Sequence, residues 1–153
     1  MAKPDFPALL APGLHTLTLP ALHALAVAPF PLDSRRQDLF DKLSTWAGAV
    51  RSAEVRGILW LDGSFLTQKP GPDDIDCVLW NPEWLSPASA TTANQQQLQR
   101  LLDRPTARAI YGLDFYFEAP LPADVFHREA YWRGVLSFAH DRVTAKGFAE
   151  LHI

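Results

Sequence analysis

One cysteine, Cys77, stands in the whole chain of 153 residues. A single thiol forms no internal disulfide, so a secreted scaffold stapled by cross-links is excluded, and so is a structural zinc site of the four-cysteine kind. Basic charge is short as well: fourteen Lys and Arg stand against seventeen Asp and Glu, a formal charge of −3. A surface built to neutralise long nucleic acid is therefore not the default, although a local basic patch remains open. Long hydrophobic runs are missing. The most apolar early stretch, Leu17 to Phe30, is broken by Pro20, His23 and Pro29, short of the roughly 18 apolar residues a membrane span needs. Lys3 is followed at once by Pro4, Asp5 and Pro7, where a signal peptide carries an uninterrupted apolar core. The reading is a cytoplasmic protein with no membrane attachment. Repeats and low-complexity tracts are absent too.

What is present is an ordinary globular composition, 48% hydrophobic and 20% charged,. A chain of this length buries roughly 70% of its unfolded surface and folds without staples. Six of the thirteen prolines fall within the first 31 residues. Proline blocks helix interiors and central strands, so residues 1–33 read as a proline-rich arm packed on the domain, with one short helix near Pro20 to Ala26. Residues 34–153 read as the domain proper. Ser34 and Gln37 have capping-box spacing, and Leu39, Phe40, Leu43, Trp46, Ala47 and Val50 recur at helical spacing after them. Gly57 to Leu61 is a short apolar run suited to a buried strand. Phe65 to Gln68 suggests one helical turn. Asp74 to Trp80 alternates like a strand, with Asn81-Pro82 expected to end it. Thr91 to Leu102 reads as a helix and Tyr111 to Phe117 as an aromatic strand. Ala123 to Ala139 reads as an amphipathic helix whose apolar stripe is Val125, Phe126, Ala130, Tyr131, Val135 and Phe138. Phe148 to Ile153 closes the chain as a strand. This order indicates an α/β (α+β) fold with a small mixed sheet flanked by helices.

One segment carries chemistry. A buried strand runs through Asp62 into Gly63-Ser64, and nine residues later comes Asp74-Ile75-Asp76. Side chains two apart on a strand point the same way, so Asp74 and Asp76 project together. Adjacent carboxylates repel, and each raises the other's pKa unless a cation or proton lies between them. Mg²⁺ favours one or two carboxylates plus substrate phosphates. Gly63 permits a sharp turn and close approach of phosphate oxygens. Ser64 offers a hydroxyl and a backbone N–H at the start of a helical turn. Together these parts suit a metal–triphosphate site of the kind that serves in-line phosphoryl attack with two metal ions. The phosphate loop of NTP hydrolases and the dinucleotide fingerprint are both missing. Asp62 reads as a structural cap of the turn, Cys77 as a small core residue facing away from the aspartates. The five histidines show no metal-ligand spacing, and the tryptophans read as core.

Gly63-Ser64-x9-Asp74-x-Asp76 resembles the signature of the DNA polymerase β-type nucleotidyltransferase superfamily, above all its minimal bacterial members. The resemblance implies that the Gly63-Ser64 turn holds the β- and γ-phosphates, and that Asp74 and Asp76 bind two Mg²⁺ ions, with Mn²⁺ as a substitute. It also implies a third carboxylate from a later strand. Asp114 has the matching context and Glu118 stands in reserve. Many minimal members carry Arg-Gly soon after the Gly-Ser. Here Thr67-Gln68-Lys69 follows, leaving Lys69 as a point charge without a bidentate fork.

A wider resemblance takes in Leu9 to His15, Arg35-Arg36, Trp60-x-Asp62-Gly63-Ser64-Phe65, Asp141-Arg142 and Lys146-Gly147. This pattern is similar to a family of short bacterial proteins of unknown function, described as nucleotidyltransferase-like. It implies that the Pro12-Gly13-Leu14-His15 arm and the phosphate-binding candidates Arg142 and Lys146 belong to the site. The resemblance implies an enzyme moving a nucleoside monophosphate from an NTP, ATP foremost, to a macromolecular acceptor. That acceptor would be a protein hydroxyl or a tRNA 3′ end, within a toxin–antitoxin or phage-defence pair. The other class of function is a non-catalytic antitoxin or immunity protein that keeps the fold and acts by binding.

Overall fold

The computed structural model describes residues 3–153; residues 1 and 2 of the expected arm lie outside the described residues. In chain order the elements are strand β1 (Gly13–Thr16), helices α1 (Leu19–Ala26) and α2 (Ser34–Ser52), strands β2 (Val55–Asp62) and β3 (Ile75–Trp84), helices α3 (Thr92–Leu101) and α4 (Arg104–Tyr111), strand β4 (Leu113–Glu118), helix α5 (Val125–Leu136) and strand β5 (Gly147–His152). The five strands form one mixed sheet in the order β1-β5-β2-β3-β4. The α/β (α+β) class expected from sequence is what forms.

β2 is central because its run Ile58-Leu59-Trp60-Leu61 is apolar on both faces and needs cover on both,. It pairs antiparallel with β3 and with β5. β4 adds to β3 and β1 to β5, each in parallel. Strand alternation then sorts the side chains. Leu59, Leu61, Ile75, Cys77, Leu79, Leu113 and Phe115 join Leu22 of α1 and Leu39, Leu43 and Trp46 of α2 in the main core. Trp60, Val78, Trp80 and Phe148 point the other way and meet Trp132 and Leu136 of α5 in a smaller core.

Several expectations need correction. The residues expected to form only an arm and a helix also supply β1, which joins the sheet beside β5. Asp33, not Ser34, caps α2: its carboxylate accepts from the Arg36 amide and also from the Gly71 amide, so it ties the helix start to a distant loop. Asn81-Pro82 does not end β3. Asn81 adopts a φ of 45°, a conformation Asn tolerates, and the ladder with β2 shifts register there, so the strand continues to Trp84. Tyr111 ends a helix instead of opening a strand, because Gly112 takes the left-handed conformation that terminates α4,. In α5 the period is right and the side is wrong. Phe126, Ala130, Tyr131, Val135 and Phe138 are exposed, Val125 is half-buried, and the helix buries Trp132 and Leu136 instead.

Arg36 explains how the Gly-Ser turn is held. Its side chain is fully buried, and its guanidinium donates to the carbonyls of Ala26, Phe65, Thr67 and Lys69. It also lies 4.0 Å from the centre of the Phe30 ring. Arg35 donates to the carbonyls of Pro72 and Asp73. The start of α2 thus clamps the loop between β2 and β3.

Candidate functional site

Three adjacent strands bring three carboxylates abreast. Asp62 on β2 is the register partner of Asp76 on β3, and Asp76 is the register partner of Asp114 on β4. Partners on neighbouring strands lie about 5 Å apart and share a face. That face is the one carrying Trp60, Val78 and Tyr116, on the α5 side. Asp74 sits one residue ahead of β3 and adds a fourth carboxylate near Asp76. Cys77 faces the opposite core, where burial pushes its thiol well up, out of nucleophile range,.

Three of the four carboxylates have a cation. Lys146, just before β5, places its Nζ 2.7 Å from both oxygens of Asp62. Arg108 reaches Asp74 at 3.1 Å. Arg104 reaches Asp114 at 2.9 Å and the Tyr116 hydroxyl at 2.7 Å, its guanidinium lying over the Tyr116 ring. Asp76 has no side-chain hydrogen bond or ion pair among the described residues. Burial, then repulsion from Asp74, Asp62 and Asp114, pushes its pKa up to about 6. Asp62 is also raised to about 6, by burial acting against the pull of Lys146.

Gly63 is required beside them. Its φ is 85°, a region side chains avoid, and a Cβ there would lie 2.1 Å from Oδ2 of Asp76,. Ser64 opens a single 3₁₀ turn, Ser64–Leu66, and its carbonyl accepts from Thr67. Lys69 does not join the carboxylates: its ammonium pairs with Asp73 at 2.8 Å. Arg142 lies in the exposed loop before β5 with a φ of 61°, and its side chain has no partner among the described residues. Glu118 lies at the other end of β4, held by Arg128 and by the Trp132 indole N–H. The Leu9–His15 arm meets the tail: the Gly147 amide donates to Leu10, and a Cβ at Gly147 would meet the Ala11 carbonyl at 2.1 Å.

The structure therefore gathers Asp74, Asp76, Asp114, Gly63, Ser64 and Lys146, and leaves Lys69 engaged elsewhere. Asp62, read from the sequence as a structural cap, stands in the same row of carboxylates, and Arg104 and Arg108, which the sequence analysis does not single out, reach Asp114 and Asp74. The helix bearing the two arginines had a legible signal: Asp103 caps Thr106, Pro105 sits in the first turn and Gly112 ends it,. Among the described residues, no three His, Cys, Asp or Glu side chains are placed to hold a metal ion jointly. Asp74 gives one oxygen to Arg108 and Asp114 gives one to Arg104 and Arg108, so Asp76 is the one carboxylate of the four with neither oxygen engaged and both open to a hard cation. Two hollows in the surface, around Thr16 to Pro20 and around Phe117 to Pro120, include none of the four.

A family model described as "Family of unknown function (DUF6932)" matches residues 4–152. No curated protein and no solved structure matches the chain.

Proposed function

The chain belongs to this family of unknown function, and we propose that it is a metal-dependent nucleotidyltransferase, moving a nucleoside monophosphate from an NTP, with ATP foremost, to a macromolecular acceptor. One observation carries the reading: carboxylates in register on three adjacent strands, beside a Gly63-Ser64 turn, with the central Asp76 raised and unpaired. Unpaired, raised carboxylates cluster at working sites. The resemblance to the DNA polymerase β-type nucleotidyltransferases rests on the same residues.

Asp76 would be the first ligand of Mg²⁺ or Mn²⁺; Asp74 and Asp114, not placed to share an ion with it in this structure, would have to leave Arg108 and Arg104 to join it. The metal would supply charge neutralisation at the α-phosphate and a more acidic acceptor hydroxyl. Asp114 takes the proton of that hydroxyl. The acceptor oxygen bonds to the α-phosphorus, the bond from that phosphorus to its bridging oxygen breaks, and pyrophosphate leaves along Gly63-Ser64. Lys146 neutralises Asp62, which limits the repulsion Asp76 must bear,. Net charge −3 favours a protein acceptor, such as a cognate toxin or antitoxin, over a tRNA end,.

Calorimetry with ATP tests the binding half: affinity in Mg²⁺ that disappears with chelator supports the reading, and equal affinity under both conditions sinks it. Release of pyrophosphate from ATP with a protein or tRNA fraction tests the chemistry. The second reading, a non-catalytic antitoxin or immunity protein, is favoured by the guanidinium groups already seated on Asp74 and Asp114. Metal-dependent ATP binding without pyrophosphate release from any fraction would favour it.

A further inference from the structure

The cations around the carboxylates differ in how they are held. Lys146 is buried against Asp62, its side chain 13% exposed. Arg104 and Arg108 stand four apart on one side of α4, and their side chains are 51% and 60% exposed while gripping carboxylates that are 18% and 22% exposed. The helix beneath them is anchored separately, by the Asp103 cap, the left-handed Gly112 and the buried Ala107. Both guanidinium groups lie outside the core: Arg108 is held by carboxylates alone, 3.1 Å from Asp74 and 3.7 Å from Asp114, while Arg104 would also have to leave the Tyr116 hydroxyl and ring. They cover Asp114 and Asp74, the two carboxylates that would have to be released to join Asp76 around a metal.

The cations in contact with the cluster are already committed, and Arg142, exposed in the loop before β5, touches none of the carboxylates; a triphosphate brings about four negative charges that two divalent ions only partly offset. Lys69 is committed to Asp73, and Lys146 gives both its contacts to Asp62. Arginine matches phosphate oxygens with a planar fork. Resting on the reading above, we propose that Arg104 and Arg108 are exchangeable counter-ions. Without nucleotide their guanidinium groups cover Asp114 and Asp74; when a divalent cation arrives with a nucleoside triphosphate, they release the carboxylates and grip the phosphate oxygens. The consequence is ordered loading: the site resists free metal and accepts metal together with nucleotide.

The test uses the Arg104→Gln/Arg108→Gln double variant in the full chain, with two probes: Mn²⁺ alone, followed by electron paramagnetic resonance, and ATP with Mg²⁺, followed by calorimetry. The expected result is opposite in sign for the two. Affinity for Mn²⁺ alone rises about tenfold because the plug is gone, and affinity for ATP with Mg²⁺ falls about tenfold because the grip is gone. A Lys pair at the same positions keeps the charge without the fork, so it should resist Mn²⁺ like the native chain yet bind ATP more weakly. Asp76→Asn should remove Mn²⁺ binding in every background. Mn²⁺ binding that depends on Asp76 but is unchanged or weakened in the Gln variant overturns the exchange and leaves the functional reading standing. No binding of Mn²⁺ or ATP by any of these chains overturns both.

Discussion

The two faces of the sheet are made by alternate residues of the same strands, and they are finished differently. On one face, side chains of β2, β3, β4 and β5 meet four helices and form an apolar core, closed at its edge by a buried arginine that satisfies four carbonyls. On the other, a single helix covers the middle with Trp132 and Leu136, and the strand ends beyond it carry Asp62, Asp76 and Asp114. The first face is built for stability. The second gathers like charges that cost stability, which is where function is expected to sit. Alternation alone assigns residues to faces, while the number of helices each face receives decides what its polar positions can do.

Arg36→Leu attacks the closed face and has the largest expected effect. It strips donors from buried carbonyls of Ala26, Phe65, Thr67 and Lys69, so it should cost more than about 4 kcal/mol, or roughly 10 °C in Tm. A loss under about 1 kcal/mol in chemical denaturation would show that this arginine does not close the core.

Lys146→Met moves the contest to the open face. It leaves Asp62 buried without its cation and should cost about 3 kcal/mol at pH 7,. Asp62 has a raised pKa of about 6 even with Lys146 present. Protonation therefore relieves the variant in acid, and its deficit should shrink from pH 7 to pH 5. A deficit that grows on acidification would contradict the pairing.

Asp76→Asn should stabilise the protein. The folded pKa, about 6, lies above that of an unfolded aspartate,. The native state therefore binds more protons between roughly pH 4 and pH 6, and stability falls as pH rises through that window and stays low above it. Asn removes the penalty, so the gain at pH 7 should be about 1–3 kcal/mol, with little gain below pH 4. Urea denaturation of both proteins across pH 4–8 reads it, and a variant less stable than native at pH 7 would mean that Asp76 has a stabilising partner.

The smallest effect belongs to the outer side of α5. Phe126 is 77% exposed, and Phe126→Ser should stay within about 0.5 kcal/mol. A loss above about 2 kcal/mol would place that ring in a core and remove the contrast between the faces.

Much of the fold was legible because local patterns carry it. The apolar run of β2, the period of α2 and the alternation of β3 are each decided within a dozen residues. β1 was not legible: four residues, Gly13–Thr16, become a strand only because Gly147 to Glu150 lie beside them. α5 shows a different failure. Period locates a stripe, but Phe126, Tyr131 and Val135 need a neighbour to be buried, and the neighbour packs on Trp132 and Leu136. At the site, Asp74 and Asp76 announced themselves by spacing, whereas Asp62 gave no sign of more than a capping role.

Local stretches of the chain encode the α/β class, the Gly63-Ser64 turn and the placing of Asp74 and Asp76 near it, since these follow from short-range periodicity, backbone freedom and side-chain direction. Only the assembled sheet settles that Asp62 flanks Asp76, that Asp114, expected there from the resemblance, is its register partner on the other side, that Lys146 spans 84 positions to reach Asp62, and that α4 turns two arginines onto the cluster. Strand register and helix placement bring those charges together, and both are set by the packing of the whole sheet, which no local stretch of the chain encodes.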